Sequence, residues 1–430
     1  MAEPPNWLNL DHVWLPYAQM ATAPLPLPVV DAAGVRLRLA DGRELIDGIS
    51  SWWTACHGYG HPHIVEAVQR QAAKLSHVMF AGLAHEPAYT LAARLAALLP
   101  GDLDHVFFSE SGSVSVEIAL KMALQYWRNH GRPERRRVLA FRGGYHGDTF
   151  MTMAVTDPAV GMHEAFRGIV PPALFADLPR DAGSAAAFHE LLDAEAPTLA
   201  AVIVEPLVQG AGGFRLHDAA TLARIRAACD FHGILLIADE IMTGFGRTGS
   251  LFASQQAHVV PDIVCLSKAL TGGTLPLAAT VARRHVFDAF RGEAFERALM
   301  HGPTYMANAL ACAAANASLD LFAREPRLLQ VAAIEDQLRH ELAACRALPG
   351  VVDVRVKGAL GVVELDGPAA GLRAAFVERG VWLRPFGNVV YAMPPFVIDT
   401  ADLSRLTTTI WEVVARWSRE RPREKVRDVV

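Results

Sequence analysis

A lysine and an aspartate each stand where a short apolar run of the sequence ends. Lys268 follows IVCL (263–266), and Asp239 follows ILLIA (234–238). Such runs predict strands buried on both faces of a parallel sheet, whose carboxyl edge is where ligands bind. There a buried lysine can serve as an amine nucleophile, and a carboxylate needs a cationic partner such as a protonated ring nitrogen. The alternatives are a lysine that extends to solvent and an aspartate in a structural ion pair.

A third candidate is the turn SGS (111–113), which precedes a long helical pattern. Gly112 and Ser113 would place unpaired N–H groups and a hydroxyl at the positive end of this helix, an arrangement that binds phosphate. The simpler interpretation is a serine N-cap beside a glycine in a tight turn, and such caps are far more common. Nearby in the pattern FRGGYHGD (141–148), Tyr145 offers an aromatic ring.

Three further patterns match nucleotide-binding or metal-binding motifs only in part. QGAGGF (209–214) lacks the third glycine of a dinucleotide-binding turn, and GFGRTGS (244–250) has Ser250 where a phosphate loop requires lysine. The histidines of HGYGHPH (57–63) have no acidic or cysteine ligand beside them in the sequence, and the glycines and proline favour a turn. We therefore predict no metal site and no nucleotide site of these kinds.

The elements that position these residues are strands and helices that alternate between about residues 65 and 325. Segments with apolar residues at helical spacing separate short β-rich runs. Six runs are predicted as strands: HVFFS (105–109), RRVLAF (136–141), LAAVIVEP (199–206), GILLIADE (233–240), DIVCLS (262–267) and LAATVA (277–282). This alternation predicts an α/β fold with a mainly parallel, doubly wound sheet.

The two ends of the chain have a different character. Residues 29–48 carry an Asp-Gly turn between alternating runs, which predicts a small antiparallel sheet. After residue 350, VVDVRVKGALGVVEL and NVVYAMPP predict a second group of strands before a last helix. We therefore expect a large domain at residues 65–325 and a smaller α+β domain built from residues 1–64 and 326–430.

Composition bounds the class of protein. The 430 residues carry a formal net charge of −5 and are 52% hydrophobic, so we expect a large core and no binding of nucleic acid or anionic lipid. The basic run RPERRR (132–137) is predicted to be a solvated loop. Five widely spaced cysteines favour a reducing compartment. No stretch approaches the ~20 apolar residues of a membrane span, and the first residues do not resemble a signal peptide. These features predict a cytoplasmic protein.

Together, the SGS turn, Tyr145, Asp239 and Lys268 match the needs of one cofactor, pyridoxal 5′-phosphate. Proteins bind it through a Schiff-base lysine, an acid on the pyridinium nitrogen and anion donors for the phosphate. Asp239 would keep the ring nitrogen protonated, and Tyr145 would stack on the ring. Lys268 would carry the aldehyde and later move a proton at the substrate carbon.

The sequence resembles the class III aminotransferases of fold type I through EPLVQGAGG, ILLIADEIMTGFGRTG and PDIVCLSKALTGG. The resemblance extends from about Trp14 to Pro395. It implies that Lys268 and Asp239 are catalytic. The cofactor-binding residues that it implies are Gly112, Ser113, Tyr145, Asp239, Lys268, Pro303 and Thr304. Of these, Pro303 and Thr304 would reach the phosphate in the neighbouring subunit, so the active unit would be a homodimer with shared sites.

Within this family, the sequence most resembles members that transfer the amino group of S-adenosyl-L-methionine to 8-amino-7-oxononanoate. The motifs that carry this narrower resemblance are SSWW, MHGPT and WLRPFG. The product would be 7,8-diaminononanoate, for biotin biosynthesis. The substrate-binding residues implied are Tyr17, Trp52, Tyr145, Gly302 and Arg384. Arg384 would bind the acceptor carboxylate, and Tyr17 and Trp52 would give aromatic walls for the alkyl chain and the sulfonium.

Other interpretations stay open from the residues alone. Arg384 could be a surface arginine, and Tyr17 and Trp52 could be a core pair; for Trp53 a core position is preferred. Another ω-aminotransferase, an aminomutase or a decarboxylase could share the fold, as could a cofactor-binding protein without turnover. Lysine could replace S-adenosylmethionine as donor. Glu205 resembles a glutamate beside the cofactor, with no role assigned.

Overall fold

The computed structural model describes residues 5–160 and 163–420. Its strands are β1 (Val29–Ala33), β2 (Arg36–Leu39), β3 (Glu44–Asp47), β4 (Leu103–Ser109), β5 (Arg137–Phe141), β6 (Leu174–Ala176), β7 (Leu199–Val204), β8 (Val208–Gln209), β9 (Arg215–Leu216), β10 (Leu235–Asp239), β11 (Ile263–Leu266), β12 (Ala278–Arg283), β13 (Val351–Val356), β14 (Gly361–Leu365), β15 (Val381–Trp382) and β16 (Val389–Ala392). Its helices are α1 (Ser50–Trp53), α2 (Pro62–Lys74), α3 (Glu86–Leu98), α4 (Gly112–Asn129), α5 (Phe150–Val155), α6 (Ala182–Glu195), α7 (Ala219–His232), α8 (Arg284–Asp288), α9 (Ala309–Arg324), α10 (Arg327–Glu341), α11 (Arg373–Glu378) and α12 (Thr400–Glu420).

The largest sheet has the strand order β4-β12-β11-β10-β7-β5-β6. Neighbours pair in parallel from β11 to β6, whereas β12 is antiparallel to both β4 and β11. The prediction of a mainly parallel sheet in an α/β fold is confirmed, and each of the six predicted strands is present. The edge strand β6 was not predicted, because its three residues are too few to display a periodic pattern.

Strand β10 illustrates why helices cover both faces of this sheet. All five of its residues are buried, and alternate side chains point to opposite faces. Leu235 and Ile237 join a core cluster that includes Ile118 of α4. Leu236 joins another cluster that includes Ile225 of α7. A strand with two apolar faces needs a helix on each of them, so the sheet is doubly wound.

Two smaller antiparallel sheets form from the chain ends, as predicted. Strands β1, β2 and β3 form one, and β13, β14 and β16 form the other, which precedes the last helix α12. The two-residue strand β15 then adds to β3 in parallel and aligns Trp382 with Asp47. Both chain ends therefore meet in one sheet. The domain limits 1–64, 65–325 and 326–430 stay a prediction, and residues 1–4 and 421–430 lie outside the described part of the chain.

Residues 5–28 contain neither helix nor strand, and several of their large apolar side chains are exposed. No helix among the described residues combines the length and the apolar character needed to span a lipid bilayer.

The prediction of a solvated loop at 132–137 is wrong for Arg135, which is buried with its guanidinium carbon 4.1 Å from the centroid of the Trp127 ring.

Candidate active site

Lys268 lies just beyond β11, at the carboxyl edge of the large sheet. It begins a short 3₁₀ turn, and its φ of 46° falls in the left-handed region that non-glycine residues rarely adopt. Its Nζ lies 4.8 Å from the centroid of the Trp53 ring. Burial lowers the pKa of Lys268, and the charge of Asp239 opposes this shift only in part. The lysine faces the interior of the protein, so the interpretation of a side chain that extends to solvent is wrong.

Asp239 is the last residue of β10 and lies beside Cys265 of β11. Its carboxylate accepts a hydrogen bond from His146 Nδ1 at 2.8 Å and another from the backbone N–H of Ile241 at 3.1 Å. The side chains of Asp239 and His146 are only 6% and 1% exposed. These contacts fix the position of the carboxylate at the edge of the sheet.

Two other buried acids lie near this edge and have different partners. Glu240 accepts hydrogen bonds from the backbone N–H and the hydroxyl of Ser254, at 2.8 and 2.7 Å, so it anchors a neighbouring loop. Glu205 accepts bonds from the N–H groups of Tyr145 (2.9 Å) and Gly210 (2.8 Å). Burial raises the pKa of Glu205 to about 7. Of the adjacent acids at 239 and 240, it is therefore Glu240 that has the structural role.

The turn before α4 combines both interpretations of its sequence. Ser111 is the N-cap, and its Oγ accepts a 3.3 Å hydrogen bond from an N–H of the first turn. Gly112 and Ser113 begin the helix, where free N–H groups point outward. Ser113 Oγ accepts a bond from the N–H of Asp148 at 3.1 Å. Gly147 has a φ of 127°, and a Cβ there would overlap Ser113 Oγ, so this approach requires glycine.

These residues surround one cavity of about 170 Å³. Its lining combines a helix N-terminus, two acids, an amine and aromatic rings. The lining residues are Trp53, Ser111, Gly112, Ser113, Tyr145, His146, Gly147, Glu205, Ala211, Asp239, Ile241, Met242, Ser267 and Lys268. The structure thus brings together the predicted residues Gly112, Ser113, Tyr145, Asp239 and Lys268.

The predicted substrate contacts Tyr17, Trp52 and Arg384 lie together in a second group, which we call the mouth. The Tyr17 hydroxyl donates to Asp148 at 2.6 Å, and the Tyr145 hydroxyl donates to the other oxygen of that carboxylate at 2.9 Å. The Arg384 guanidinium carbon lies 4.3 Å from the Trp52 ring centroid and 5.9 Å from that of Tyr17. Tyr17 is 54% and Trp52 37% exposed, so they are not a core pair. Asp148 thereby connects the mouth to the cavity.

Gly302, Pro303 and Thr304 do not line the cavity of their own chain. The carbonyl of Thr304 accepts a 2.9 Å hydrogen bond from His77 Nε2. A Cβ on Gly302 would meet no atom within 4 Å, and the following Tyr305 is 61% exposed. This segment is therefore at the surface, apart from the other predicted site residues.

Sequence reasoning missed three residues of the site. His146 and Asp148 flank Gly147 in the stretch that was quoted for Tyr145, but neither a period nor a spacing linked them to Asp239 or Tyr17. Trp53 was assigned to the core, and it is indeed only 7% exposed, yet its ring also lies against Lys268. The only sequence signal for Trp53 was its place in the motif SSWW beside Trp52.

The fold and this site are those of an aminotransferase family. The model of the family "Aminotransferase class-III" matches residues 17–414. The chain therefore belongs to the class III aminotransferases. It is 48% identical to the adenosylmethionine-8-amino-7-oxononanoate aminotransferase of Mycobacterium leprae over 94% of this chain and 95% of that protein. It is 45% identical to the protein of the same name from Corynebacterium glutamicum, over 96% and 99% of the two chains.

Solved structures agree with this assignment. The crystal structure of adenosylmethionine-8-amino-7-oxononanoate aminotransferase from Methanocaldococcus jannaschii has a TM-score of 0.91 and 32% identity, and covers 94% of this chain and 97% of that one. An amine transaminase from an uncultivated Pseudomonas species, solved in the PLP-bound form, has a TM-score of 0.87 and 33% identity over 94% and 99% of the chains. Both the narrower and the broader activities of the family thus share this fold.

Proposed function

We propose that this protein uses pyridoxal 5′-phosphate to transfer the amino group of S-adenosyl-L-methionine to 8-amino-7-oxononanoate, which gives 7,8-diaminononanoate for biotin biosynthesis. The observation that carries the proposal is the placement of Lys268 and Asp239 at the carboxyl ends of the neighbouring parallel strands β11 and β10, in one cavity. The names of the relatives from Mycobacterium leprae and Corynebacterium glutamicum support the two substrates.

The cavity fits the cofactor on chemical grounds. Gly112 and Ser113 offer anion donors at a helix N-terminus, where a phosphate binds, and the close approach of Gly147 to Ser113 leaves no room there for a larger residue. Asp239 offers a buried carboxylate for a protonated ring nitrogen. Tyr145 lines the same cavity and would lie against the ring. When bound, pyridoxal phosphate supplies an aldehyde and a ring that accepts the electrons released from the substrate Cα–H bond.

The protein's own groups are suited to the proton movements of an amino transfer. Because burial lowers the pKa of Lys268, its amine becomes neutral at a lower pH than that of a free lysine, and a neutral amine can take a proton from a substrate carbon and return it. The carboxylate of Asp239 is held in place by hydrogen bonds from His146 and from the N–H of Ile241. Its charge would keep a basic nitrogen protonated during both halves of the reaction.

The mouth offers a binding group for each feature of the substrates. Arg384 has no acidic partner among the described residues, so its guanidinium is available for the carboxylate of the acceptor. Trp52 and Tyr17 present ring faces to an alkyl chain and to a sulfonium cation. Gly302 would border this pocket from a second chain.

We propose a homodimer in which Pro303 and Thr304 serve the partner's cofactor. Their surface position, away from their own cavity, supports this arrangement. It can be tested by mixing two inactive variants, Lys268→Ala and Thr304→Arg, after reversible dissociation. Hybrid dimers would carry one intact site, so about a quarter of wild-type activity should return. No recovery in verified hybrids would contradict shared sites.

The five cysteines are all buried and unpaired, which supports a reducing, cytoplasmic location.

The function is tested by adding each amino donor separately to the purified protein with pyridoxal phosphate and following the cofactor spectrum. S-adenosylmethionine should convert the cofactor to its amine form without any acceptor present, and 8-amino-7-oxononanoate should reverse the change. Initial rates should follow ping-pong kinetics. Conversion by lysine alone would replace the donor in the proposal. Good turnover of ω-amino acids with none of 8-amino-7-oxononanoate would instead assign another ω-aminotransferase activity.

A further inference from the structure

The segment α1, Ser50–Trp53, is a single turn of left-handed helix. Its four φ angles are 49°, 45°, 62° and 75°. The N–H of Trp53 donates to the carbonyl of Ile49, and that of Thr54 donates to the carbonyl of Ser50, both at 2.8 Å. Each non-glycine residue in this conformation is strained by its own Cβ. Such strain persists only where surrounding contacts impose it.

The two tryptophans of this left-handed turn lie against two different cations. The Trp53 ring centroid is 4.8 Å from Lys268 Nζ, and that of Trp52 is 4.3 Å from the guanidinium carbon of Arg384. Consecutive side chains on a helix are rotated by about 100°, in a direction that depends on its hand. Reversal of the hand would reverse the sense of this rotation and so change the direction of one ring relative to the other. The turn therefore contacts both ends of the site, the amine of Lys268 through Trp53 and the guanidinium of Arg384 through Trp52.

A buried carboxylate holds the left-handed turn. Asp47, which is fully buried, accepts hydrogen bonds from the N–H of Ile49 at 2.9 Å and the N–H of Ser51 at 2.7 Å. It also accepts a 2.5 Å bond from the hydroxyl of Tyr59, which shares a second bond of 2.5 Å with Ser51 Oγ. No cation among the described residues pairs with Asp47. Its donors are the hydroxyl of Tyr59 and the backbone N–H groups of Ile49 and Ser51.

Asp47 also connects the turn to Arg384. It is the last residue of β3, and it aligns with Trp382 in the parallel pair of β3 with β15. Arg384 lies two residues after the end of that strand. One pair of strands therefore carries both the acid that holds the turn and the arginine that contacts Trp52.

We propose that Asp47 and Tyr59 are positioning residues, which hold the left-handed turn so that it sets the span between the carboxylate-binding and amine-transferring ends of the site. The span would select acceptors whose carboxylate lies a fixed number of bonds from the ketone. This inference rests on the proposed function for its substrates, but the geometry of the turn can be measured without them.

The main test is Tyr59→Phe, which keeps the ring and removes the hydroxyl that joins Asp47 to Ser51. Acceptors are 8-amino-7-oxononanoate, its shorter homologue 7-amino-6-oxooctanoate and the carboxyl-free 2-amino-3-octanone. The preference of the holoenzyme for the first over the shorter acid should fall about fivefold, mainly through KM. Turnover of the carboxyl-free ketone should fall by a smaller factor than turnover of 8-amino-7-oxononanoate. The tryptophan near-ultraviolet circular dichroism of the protein without cofactor should also change.

A rescue variant and two controls separate positioning from general damage. Ser51→Gly in the Tyr59→Phe background should restore part of the preference, because glycine adopts a left-handed conformation without strain. Tyr126→Phe, on the last turns of α4, should leave the preference unchanged. Asp47→Asn should exceed Tyr59→Phe in both effects, whereas Asp262→Asn, at another buried aspartate, should lower stability without changing the preference.

The outcomes distinguish this inference from the proposed function. An unchanged acid preference and an unchanged tryptophan spectrum in both Tyr59→Phe and Asp47→Asn would overturn the positioning role. An equal loss with all three acceptors would also overturn it, since that pattern indicates damage and not selection. If wild-type protein converts none of the acceptors, the proposed function fails, and the spectra of the variants still test whether Asp47 and Tyr59 hold the turn.

Discussion

The floor and the mouth of the site are built in different ways. The floor residues Lys268 and Asp239 extend two adjacent, fully buried strands of a regular sheet. The mouth residues Tyr17, Trp52 and Arg384 come from three distant segments without regular structure or with a strained backbone. The groups proposed to carry the chemistry thus rest on paired strands, whereas the groups proposed to select a substrate rest on irregular segments that can diverge without disturbing the sheet.

Solvent access differs in the same way. Asp239 is 5% exposed, whereas Tyr17 is 54% exposed. Charges act more strongly on one another where water is excluded. Substitutions at the floor should therefore cost more activity than substitutions at the mouth, and should affect all substrates equally.

Lys268→Ala should give the largest loss, because it removes both the amine that would bind the cofactor and the group that would move the proton. We expect kcat to fall by about a thousandfold or more with every donor. The measurement is single-turnover conversion of the cofactor by S-adenosylmethionine. Lys74→Ala, on the exposed side of α2, is the matched control and should be fully active. Substantial residual turnover in Lys268→Ala would contradict the proposed catalytic role of Lys268.

Asp239→Asn should rank second. The amide cannot supply the negative charge that keeps a ring nitrogen protonated, so we expect about a hundredfold lower kcat with both substrates. Glu240→Gln is a demanding control, since this neighbouring acid accepts its hydrogen bonds from Thr243, Ala253 and Ser254 and does not line the cavity. It should lower the melting temperature and leave most of the activity. If the two variants lost activity equally, the assignment of separate roles to the adjacent acids would be wrong.

Arg384→Gln should weaken binding of the acceptor 8-amino-7-oxononanoate without slowing the amino transfer itself. Loss of a charged hydrogen-bonding partner should raise KM for 8-amino-7-oxononanoate by about 10- to 100-fold, with little change in the half-reaction of S-adenosylmethionine. Steady-state kinetics with each substrate varied in turn measure this difference. Arg379→Gln, at an exposed ion pair with Glu412, is the control. A similar loss in both half-reactions would mean that the mouth is not specific for the acceptor.

Glu205→Gln should change the pH dependence of stability. The pKa of Glu205 is raised from 4.5 to about 7, so between these values the folded state holds a proton that the unfolded chain has released. Its contribution to stability therefore falls as pH rises through this window. Between about pH 5 and about pH 7.5, the wild-type protein should lose up to about 3 kcal/mol more than the variant. Urea unfolding without cofactor measures this, and parallel pH profiles would contradict it.

The floor could be predicted from the sequence because each of its residues ends an apolar run, and such a run specifies a buried strand by itself. Lys268 and Asp239 thus needed only local information. The mouth was reached only through resemblance, since nothing in the sequence around Tyr17 or Arg384 indicates that they approach Trp52. The two-residue strand β15, which brings Arg384 into place, depends entirely on its pairing with β3.

Other features were missed for a related reason. His146 lies 93 positions before Asp239, and a hydrogen bond between remote side chains leaves no period in the sequence. The left-handed backbone of Ser50–Trp53 was also invisible, because serine and tryptophan favour the right-handed region and only the surrounding contacts reverse this preference. Trp53 was correctly expected to be buried, but burial and a place in the site are not alternatives.

The parallel strand β15 also has a consequence for synthesis of the protein on the ribosome. Asp47 emerges early, but the strand that completes its sheet contains Trp382, which is translated roughly 20 to 70 s later at bacterial and eukaryotic elongation rates. During that interval the nascent chain exposes an unpaired edge at β3, at which chaperones can bind or another chain can pair and aggregate. Slow translation of the last quarter of the message would therefore be expected to lower the yield of active enzyme before it affects the large sheet.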